Sequence, residues 1–355
     1  MSETQNPGAH TIAEILSEPQ TWSAVLAELD ASSQLAELSQ KLPRDTEFIF
    51  VGCGSSFYLA LAAASTWATL TGGAARAVPA SEIILFPKTL PEHAQYVLIS
   101  RSGHTSEVIQ AAEHLKTHSR TPILAITCGA DTPLAKLADF TITLRPADEK
   151  STVMTRSFTS MLITLQALAA TRAADKDFLS ALRTLAKEAA AILEPAQQTI
   201  RSLVNSRNFA DYIFLGQGPF FGIAQEAMLK VKEMSCSYGQ CFHTLEFRHG
   251  PKAIVSNETL LTFFLSDSGF ESELAVLEEM KDLGGIILAV VNRATPAVRK
   301  SSHHIVELGL TVPEFARAAA AIIPGQLLGF YTGIRKGLDP DNPRNLSRVV
   351  MLEGK

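Results

Sequence analysis

Three ionisable residues in the second half of the chain have the spacing of one helical face. Glu226, Lys230 and Glu233 lie at positions i, i+4 and i+7 of the segment E-A-M-L-K-V-K-E-M-S. On most helices such a stripe is a solvated set of ion pairs. Here it is soon followed by His249 in R-H-G-P, and glycine and proline fix a loop that can present a side chain. A lone histidine is more often structural, but the four residues together form a candidate acid–base centre.

Two glycine- and serine-rich segments in the first half could bind an anion. The segments are G-C-G-S-S-F from position 52 and S-R-S-G-H-T from position 100. Their candidate ligand residues are Gly54, Ser55, Ser56, Ser100, Ser102 and Thr105. Each segment alone is more often a turn with a helix N-cap. At the ends of successive strands, however, backbone N–H groups, helix dipoles and hydroxyls together predict a phosphate site.

The elements that must position these residues alternate along the chain. Short apolar runs at 47–51, 96–99, 123–126 and 140–144 predict strands, with helical patterns between them. Helical periodicity then continues from about 156 to 203, interrupted only by Pro195, and a second strand–helix series starts at Tyr212. This alternation predicts an α/β fold built on parallel sheets.

The two halves match one another in sequence. V-G-C-G at 51–54 corresponds to L-G-Q-G at 215–218, L-I-S-R-S-G-H-T-S-E at 98–107 to F-L-S-D-S-G-F-E-S-E at 264–273, and T-P at 132 to T-P at 295. Three matches in one order at nearly one offset predict a tandem duplication. The second copy has Asp267 and Glu271 where the first has Arg101 and Thr105. Because carboxylates repel a phosphate dianion, only the first copy is expected to bind phosphate.

Length and composition favour two globular domains. The chain has 355 residues, 46% of them hydrophobic and 19% charged, which suits two folded cores. We predict an N-terminal helical extension over 1–44, a phosphate-binding domain over 45–170, a linking helix over 171–204, and a second domain over 205–355 that carries Glu233, His249 and the C-terminal tail.

Charge and cysteine content exclude several other classes of protein. The net charge is −5 and no long Lys/Arg run occurs, so neither nucleic acid nor an acidic membrane surface is an expected partner. Four irregularly spaced cysteines give no disulfide framework or C-x-x-C pair, and the first ten residues do not read as a secretory signal. The apolar stretch near 316–330 is broken by Arg317, Pro324 and Gly325. A cytoplasmic protein with a small-molecule ligand is expected.

The motifs G-C-G-S-S, S-R-S-G-H-T, L-K-V-K-E and F-R-H-G-P-K resemble those of the SIS (sugar isomerase) family of phosphosugar-binding proteins. The pattern is most similar to the isomerase half of glucosamine-6-phosphate synthase and to amino-sugar-6-phosphate deaminase/isomerases. The resemblance extends from T-I-A-E-I-L-S-E-P near the start to D-N-P-R-N-L at 341–346. It implies two tandem SIS domains, each a parallel sheet flanked by helices in a three-layer, flavodoxin-like arrangement.

Carried over by motif, the resemblance assigns roles to individual residues. Glu233 would move a proton between C1 and C2 of a sugar 6-phosphate, with Lys230 as its neighbour. His249 would open the sugar ring from the partner subunit, which implies a homodimer. No cofactor or metal is implied. The residues implied in holding the 6-phosphate are Ser56, Ser100, Arg101, Ser102 and Thr105, with Arg101 in place of a glutamine of the synthase motif.

Two departures from the synthase pattern narrow the expected reaction. Ser2 occupies the place of the synthase's nucleophilic cysteine and the glutaminase domain is missing, so the chain is not expected to take nitrogen from glutamine by itself. Arg348 stands at the imine-forming lysine of the tail motif, and arginine cannot form that imine. The first choice is therefore a deaminase/isomerase that converts a hexosamine 6-phosphate, of glucosamine or galactosamine, to a ketose 6-phosphate and ammonia.

Other functions stay open on the sequence alone. A fructosamine-6-phosphate deglycase would use the same scaffold and much the same residues. A glutaminase-less synthase-like isomerase and a non-catalytic sugar-phosphate-binding protein are further alternatives. A regulatory module with a DNA-binding domain is disfavoured, because the region before the first strand is short and acidic.

Overall fold

The computed structural model of the chain describes residues 6–350. Ser2 lies outside the described residues. The fold contains two five-stranded parallel sheets, and helices follow most of their strands. By compactness, residues 18–149, 156–186 and 347–350 form one unit, here called the first-sheet unit. Residues 6–17, 150–155 and 187–346 form the second-sheet unit. Each unit thus combines segments that are separate in the chain, and the predicted boundaries at 45, 170 and 204 stay a prediction.

The first sheet has the strand order β2-β1-β3-β4-β5. Its strands are β1 Phe48–Gly52, β2 Ala75–Pro79, β3 Gln95–Ile99, β4 Leu124–Thr127 and β5 Phe140–Thr143. The four strands predicted from apolar runs are confirmed. Strand β2 was missed, because it is a half-exposed edge strand that carries Arg76 and ends in proline.

The helices of the first-sheet unit include one that is buried on every side. They are α2 Glu18–Ser32, α3 Gln34–Lys41, α4 Ser55–Thr71, α5 Ala80–Leu85, α6 Ser106–His118, α7 Pro133–Leu137, α8 Arg156–Ala173 and α9 Lys176–Glu188. All residues from Ser157 to Ala170 of α8 are buried. The hydroxyl of Thr159 finds a partner inside the core, accepting a hydrogen bond from the Trp22 indole at 2.9 Å.

The second sheet repeats the order of the first, as β7-β6-β8-β9-β10. Its strands are β6 Asp211–Gly216, β7 Gly239–His243, β8 Thr259–Phe264, β9 Ile286–Val291 and β10 His304–Glu307. The helices of this unit are α1 Ala9–Leu16, α10 Ala190–Ser206, α11 Pro219–Ser235, α12 Phe270–Asp282, α13 Pro296–Ser301, α14 Ala318–Ala321 and α15 Ile323–Arg335.

The two copies agree in backbone detail as well as in strand order. Gly54 has φ 54° and ψ −126°, and its counterpart Gly218 has φ 53° and ψ −129°, a conformation that only glycine adopts freely. Thr132 and Thr295 each cap the short helix that follows, accepting a backbone hydrogen bond at 3.2 and 3.3 Å. The prediction of an α/β protein with two like sheets is therefore confirmed, in the order typical of flavodoxin-like folds.

The near-continuous helical region predicted over 156–203 consists of α8, α9 and α10, with Pro195 inside α10. Among residues 6–350, no helix is both long enough and apolar enough to cross a bilayer.

Candidate functional site

The first predicted anion loop connects β1 to α4. Gly52 is followed by the left-handed Gly54, and α4 begins at Ser55. A Cβ at Gly52 would lie 2.5 Å from the backbone of Ser56, so the loop closes tightly against the first turn of the helix. Ser55 and Ser56 are both buried. Three of the predicted ligand residues, Gly54, Ser55 and Ser56, therefore surround a helix start, where backbone N–H groups favour an anion.

The second predicted loop connects β3 to α6. Ser100 is buried, and its hydroxyl lies 3.1 Å from that of Thr105 and accepts the Gly103 N–H at 3.1 Å. The Ser102 hydroxyl accepts the His104 N–H, also at 3.1 Å. Thr105 immediately precedes α6, whose N-terminus carries the positive end of the helix dipole. Strands β1 and β3 are neighbours on either side of the point where the strand order reverses, the usual ligand position in such sheets.

Arg101, predicted as a phosphate ligand, is already engaged within the first-sheet unit. Its side chain is 6% exposed, and Nη1 lies 3.3 Å from Oε2 of the fully buried Glu149. Its Nη2 donates to the Arg348 carbonyl at 3.0 Å. Glu149 also accepts hydrogen bonds from the Ser157 hydroxyl and N–H. The charge of Arg101 is thus balanced by a buried carboxylate, and its role in binding phosphate stays a prediction.

The tail residue Arg348 lies on the same side of the first-sheet unit as Arg101. Its Nη2 is 2.7 Å from Oδ1 of Asp148 in a pair that is about half exposed. Two residues further on, the Val350 carbonyl accepts the Ser106 N–H at 3.3 Å, at the first turn of α6. The tail therefore runs beside the second loop.

In the matching loop of the second-sheet unit, the hydrogen-bond donors bind a carboxylate of the same chain. The carboxylate of Glu314 accepts the N–H groups of Asp267 and Ser268 at 2.6 and 3.1 Å and the Ser268 hydroxyl at 2.5 Å. Asp267 itself forms an ion pair with Arg317. The expectation that this copy does not bind phosphate rested on Asp267 and Glu271. The geometry points instead to Glu314, which occupies the donors of the loop.

Helix α11 carries the predicted acid–base residues and is held closely against α15. It starts with Pro219 in its first turn and ends at Ser235, and the next residue, Cys236, is left-handed with φ 48°. Glycines at 325, 329 and 333 of α15 face it: a Cβ at Gly329 would lie 2.6 Å from the Lys230 carbonyl oxygen, and one at Gly333 2.3 Å from that of Met234. This stripe of glycines lets the two backbones approach and fixes the position of α11.

Glu226, Lys230 and Glu233 form a buried ion network on α11. Lys230 Nζ lies 3.1 Å from Glu226 Oε1, 2.6 Å from Glu233 Oε2 and 3.1 Å from the Met154 carbonyl oxygen. The side chains of Glu226 and Lys230 are fully buried, whereas that of Glu233 is 18% exposed. A solvated stripe is therefore excluded. Glu233 is the one carboxylate of the network that a solute can reach.

The lysine of this network stays protonated. Burial lowers the pKa of the Lys230 ammonium, but the carboxylates of Glu226 and Glu233 raise it more, so the net shift is upward. A cation fixed between two carboxylates cannot serve as a neutral amine nucleophile. It is suited instead to holding Glu233 in one orientation.

The segment 150–155, which supplies the Met154 carbonyl, is anchored by α1. Glu14 accepts the N–H groups of Lys150 and Ser151 at 2.6 and 3.3 Å, and Thr11 lies 2.8 Å from the Ser151 hydroxyl. Thr11 in turn donates to Asp341 at 2.6 Å. These contacts could not be predicted from the sequence, because each of them joins residues more than a hundred positions apart.

His249 lies in the turn between two short 3₁₀ helices, Glu246–Arg248 and Pro251–Ile254. Its side chain is exposed, and Gly250 has φ 120°. The R-H-G-P segment therefore presents the imidazole at the surface of the second-sheet unit, as the loop chemistry predicted.

A family model described as the SIS domain matches residues 43–171, which contain the whole first sheet and both predicted anion loops. Residues 43–171 form a SIS domain. The second sheet has the same strand order and the same loop conformations, so the predicted fold of two tandem SIS domains is confirmed.

Similarity to curated relatives extends over nearly the whole chain. The glutamine–fructose-6-phosphate aminotransferase (isomerizing) of Methanothermobacter thermautotrophicus is 25% identical over 344 residues, which are 96% of this chain and 57% of the relative. The enzyme of that name from Pseudomonas putida is 28% identical over 324 residues, 85% of this chain and 51% of the relative. The chain thus spans just over half the length of the curated relatives it matches.

Solved structures of similar proteins also match nearly the whole chain. A glucosamine-6-phosphate deaminase from Thermotoga maritima is 27% identical with a TM-score of 0.77, covering 97% of this chain and 100% of its own. A tagatose-6-phosphate ketose/aldose isomerase from Escherichia coli has a TM-score of 0.83 at 23% identity and coverage of 98% and 99%, a likeness of fold.

Substitutions in the second loop are expected to weaken phosphosugar binding without unfolding the SIS domain. Ser102→Ala removes a hydroxyl that is half exposed at the helix start, and losing a hydrogen bond to a charged group costs about 1.5–3 kcal/mol, or roughly 10- to 100-fold in Kd. Thr105→Glu introduces the residue of the second copy and should weaken binding further. Calorimetric titration with a hexose 6-phosphate measures both effects. Unchanged affinity in both variants would place the phosphate elsewhere, and Thr117→Ala at the exposed end of α6 serves as the control.

Proposed function

We propose that this SIS protein is a phosphosugar isomerase/deaminase that converts a hexosamine 6-phosphate to a ketose 6-phosphate and ammonia without a metal or cofactor. The observation that carries the proposal is the buried network on α11, in which one carboxylate, Glu233, reaches the surface beside a permanently protonated lysine. Burying three charges is costly unless they are paired, and functional sites are where proteins accept that cost.

The proposed reaction uses Glu233 as a general base. With the ring open, C1 is an aldehyde and C2 carries the amine. Glu233 removes the C2 proton, the electrons of that bond form a C1–C2 double bond, and the π electrons of the C1 carbonyl move to O1, which takes up a proton from solvent to give an enaminol. Glu233 then returns its proton to C1 while the nitrogen lone pair forms the C2=N bond and the nitrogen loses a proton to solvent. The product is a C2 imine, to which water adds, and ammonia leaves to give the ketose. Each step conserves protons and electrons, so no oxidant is needed.

In the same proposal, the first SIS domain holds the 6-phosphate. Ser56, Ser100, Ser102 and Thr105 supply hydroxyls, and the first turns of α4 and α6 supply backbone N–H groups. Arg101 acts through its pair with Glu149 as a positioning residue that holds the loop and the tail, rather than as a direct phosphate ligand. His249, on its exposed turn, opens the ring by moving a proton between the ring oxygen and O1.

Two observations favour deamination over synthase chemistry. The synthase-like imine requires an unprotonated amine, yet Arg348 is a guanidinium paired with Asp148, and Lys230 is held as a cation. The similar solved structure that is matched over its full length at 27% identity is named a glucosamine-6-phosphate deaminase.

The proposal is tested by incubating the purified chain with glucosamine, galactosamine, fructosamine and fructose 6-phosphates and measuring ammonia and ketose in parallel. Deamination predicts equal amounts of ammonia and ketose from an aldose amine, while release from fructosamine 6-phosphate alone would support a deglycase. Borohydride in the presence of fructose 6-phosphate should leave the protein mass unchanged. A trapped sugar adduct, or isomerisation without ammonia, would contradict the deaminase assignment.

We also propose a homodimer in which His249 acts on the substrate bound to the partner chain. Mixing inactive Glu233→Gln and His249→Asn dimers after mild dissociation should then restore roughly one quarter of wild-type activity, because half of the random dimers carry one intact site of two. Activity that stays at the level of the separate variants would place His249 and Glu233 of one chain in the same site. Sedimentation of each variant checks that dimers form.

A further inference from the structure

A basic cavity of about 370 Å³ lies within the second-sheet unit, where three helices end. The helices are α10, α11 and α15, which end at Ser206, Ser235 and Arg335. The lining of the cavity includes three cationic side chains, two aromatic rings and a buried hydroxyl, which belong to Arg207, Arg335, Lys336, Phe209, Tyr212 and Thr332. None of the residues that line the cavity is acidic. None of these residues belongs to the candidate site on α11 or to the loops of the first SIS domain.

Two of these cations, Arg335 and Lys336, donate hydrogen bonds at the C-terminal ends of neighbouring helices. Arg335 donates to the backbone carbonyls of Val204 and Arg207 at the end of α10. Lys336 donates to the Ser235 carbonyl at 3.1 Å and to the Ser237 hydroxyl at 2.6 Å at the end of α11. Cations at helix C-termini stabilise the helices in this way.

The helix ends do not account for all of the charge. Each helix C-terminus carries about half a negative elementary charge, so three of them balance about half of the three cations and leave an excess of about 1.5 positive charges. Arg207, one of the three cations, is exposed, and its guanidinium lies 5.8 Å from the centroid of the Phe209 ring. Such an excess in a concave site attracts an anion.

Burial makes the site more selective than an exposed basic patch. Tyr212 is 5% and Thr332 3% exposed, so two hydroxyls lie at the inner side of the cavity. Desolvation lowers the pKa of the Lys336 ammonium, which is the direction expected of an amine near no carboxylate. The Phe209 and Tyr212 rings meet edge to face with centroids 5.9 Å apart and form an apolar wall.

We propose that this cavity binds a phosphorylated small molecule, with the phosphate between Arg207 and Lys336 and the organic part against Phe209. The volume accommodates one such molecule and is far below what a nucleic-acid strand would need, and the net charge of −5 does not favour a polyanion. The shared chemistry is a phosphate ester beside an apolar or ring-shaped group. A nucleotide and a sugar phosphate both supply it.

The test separates this cavity from the phosphate loops of the first SIS domain. Calorimetric titrations at low ionic strength use inorganic phosphate, UMP and glucose 6-phosphate as probes, with Thr105→Glu as the background protein. We expect at least one organic probe to bind more tightly than inorganic phosphate. Arg207→Gln and Lys336→Gln should each weaken it by about tenfold or more, as expected for one lost charge-assisted contact, and the double variant should abolish it. UMP and glucose 6-phosphate identify the type of organic group.

The matched control is Arg299→Gln, an exposed arginine on α13 that pairs with Glu307 outside the cavity. It should bind the probes like the background protein. Unchanged affinity in the double variant, or no binding of any probe, overturns the inference, provided circular dichroism shows native folding. If Thr105→Glu alone removes all binding, the first SIS domain is the sole phosphate site: this inference then fails while the proposed function stands.

Discussion

Replacing Glu233 by glutamine is expected to lower kcat by about 10²- to 10⁴-fold, the usual contribution of a positioned general base, while KM stays near its wild-type value. The amide has nearly the same shape but cannot accept the C2 proton. It also leaves the 6-phosphate contacts of the first SIS domain unchanged. Steady-state kinetics with a hexosamine 6-phosphate measures the loss, and solvent deuterium incorporation at C2 should disappear with it.

The matched control is Glu271→Gln, an exposed glutamate on α12 of the same unit, which should keep wild-type kinetics. If C2 exchange in Glu233→Gln continues at the wild-type rate, Glu233 is only a member of a structural ion network, and the base lies elsewhere. A large rise in KM with unchanged kcat would likewise argue for a binding role.

The second large effect concerns stability. Lys230→Met is expected to lower the free energy of unfolding by about 3–5 kcal/mol, because removing one partner of a buried ion network leaves uncompensated charge. Glu226 is fully buried and Glu233 largely so, and both would lose the cation that now lies within about 3 Å of each. The shift of the urea unfolding transition measures this loss.

A double variant and a surface lysine make this result interpretable. Lys230→Met combined with Glu226→Gln should recover part of the lost stability, because the amide at position 226 leaves no unpaired buried charge there. Lys232→Met, at an exposed position on the same helix, should change stability by no more than about 0.5 kcal/mol. Equal effects at positions 230 and 232 would mean that the network contributes little to folding.

The sequence predicted those features of the fold that depend on local pattern. Apolar runs identified β1, β3, β4 and β5, and the matching segments identified the duplicated sheet. The half-exposed β2 lacked such a run, and only its pairing with β1 makes it a strand. Each compact unit is assembled from separate segments of the chain, and the amino-acid composition does not indicate which segments belong together.

For the candidate site, spacing predicted a shared face but not its environment. The i, i+4, i+7 pattern placed Glu226, Lys230 and Glu233 together, yet the same pattern fits a solvated stripe. What decides between the two is close packing against the glycines of α15, which lies about a hundred residues further along the chain. Arg101 is a similar case, because its neutralising partner Glu149 is distant in sequence.

The carboxylate of Glu314 in the second-copy loop has a consequence for how the duplication became asymmetric. A tethered group competes with a dissolved ligand at an effective concentration, which for flexible tethers is on the order of millimolar and rises when the tether is ordered. Glu314 is ordered on the loop by contacts to Asp267 and Ser268, so a dissolved phosphate ester must compete with a carboxylate that is already bound to these donors. One side chain placed 46 residues away from Ser268 thus closes the copy by intramolecular competition and keeps the loop's backbone unchanged. This loop of the second copy is thereby released from phosphate binding, while its unit supports the residues on α11.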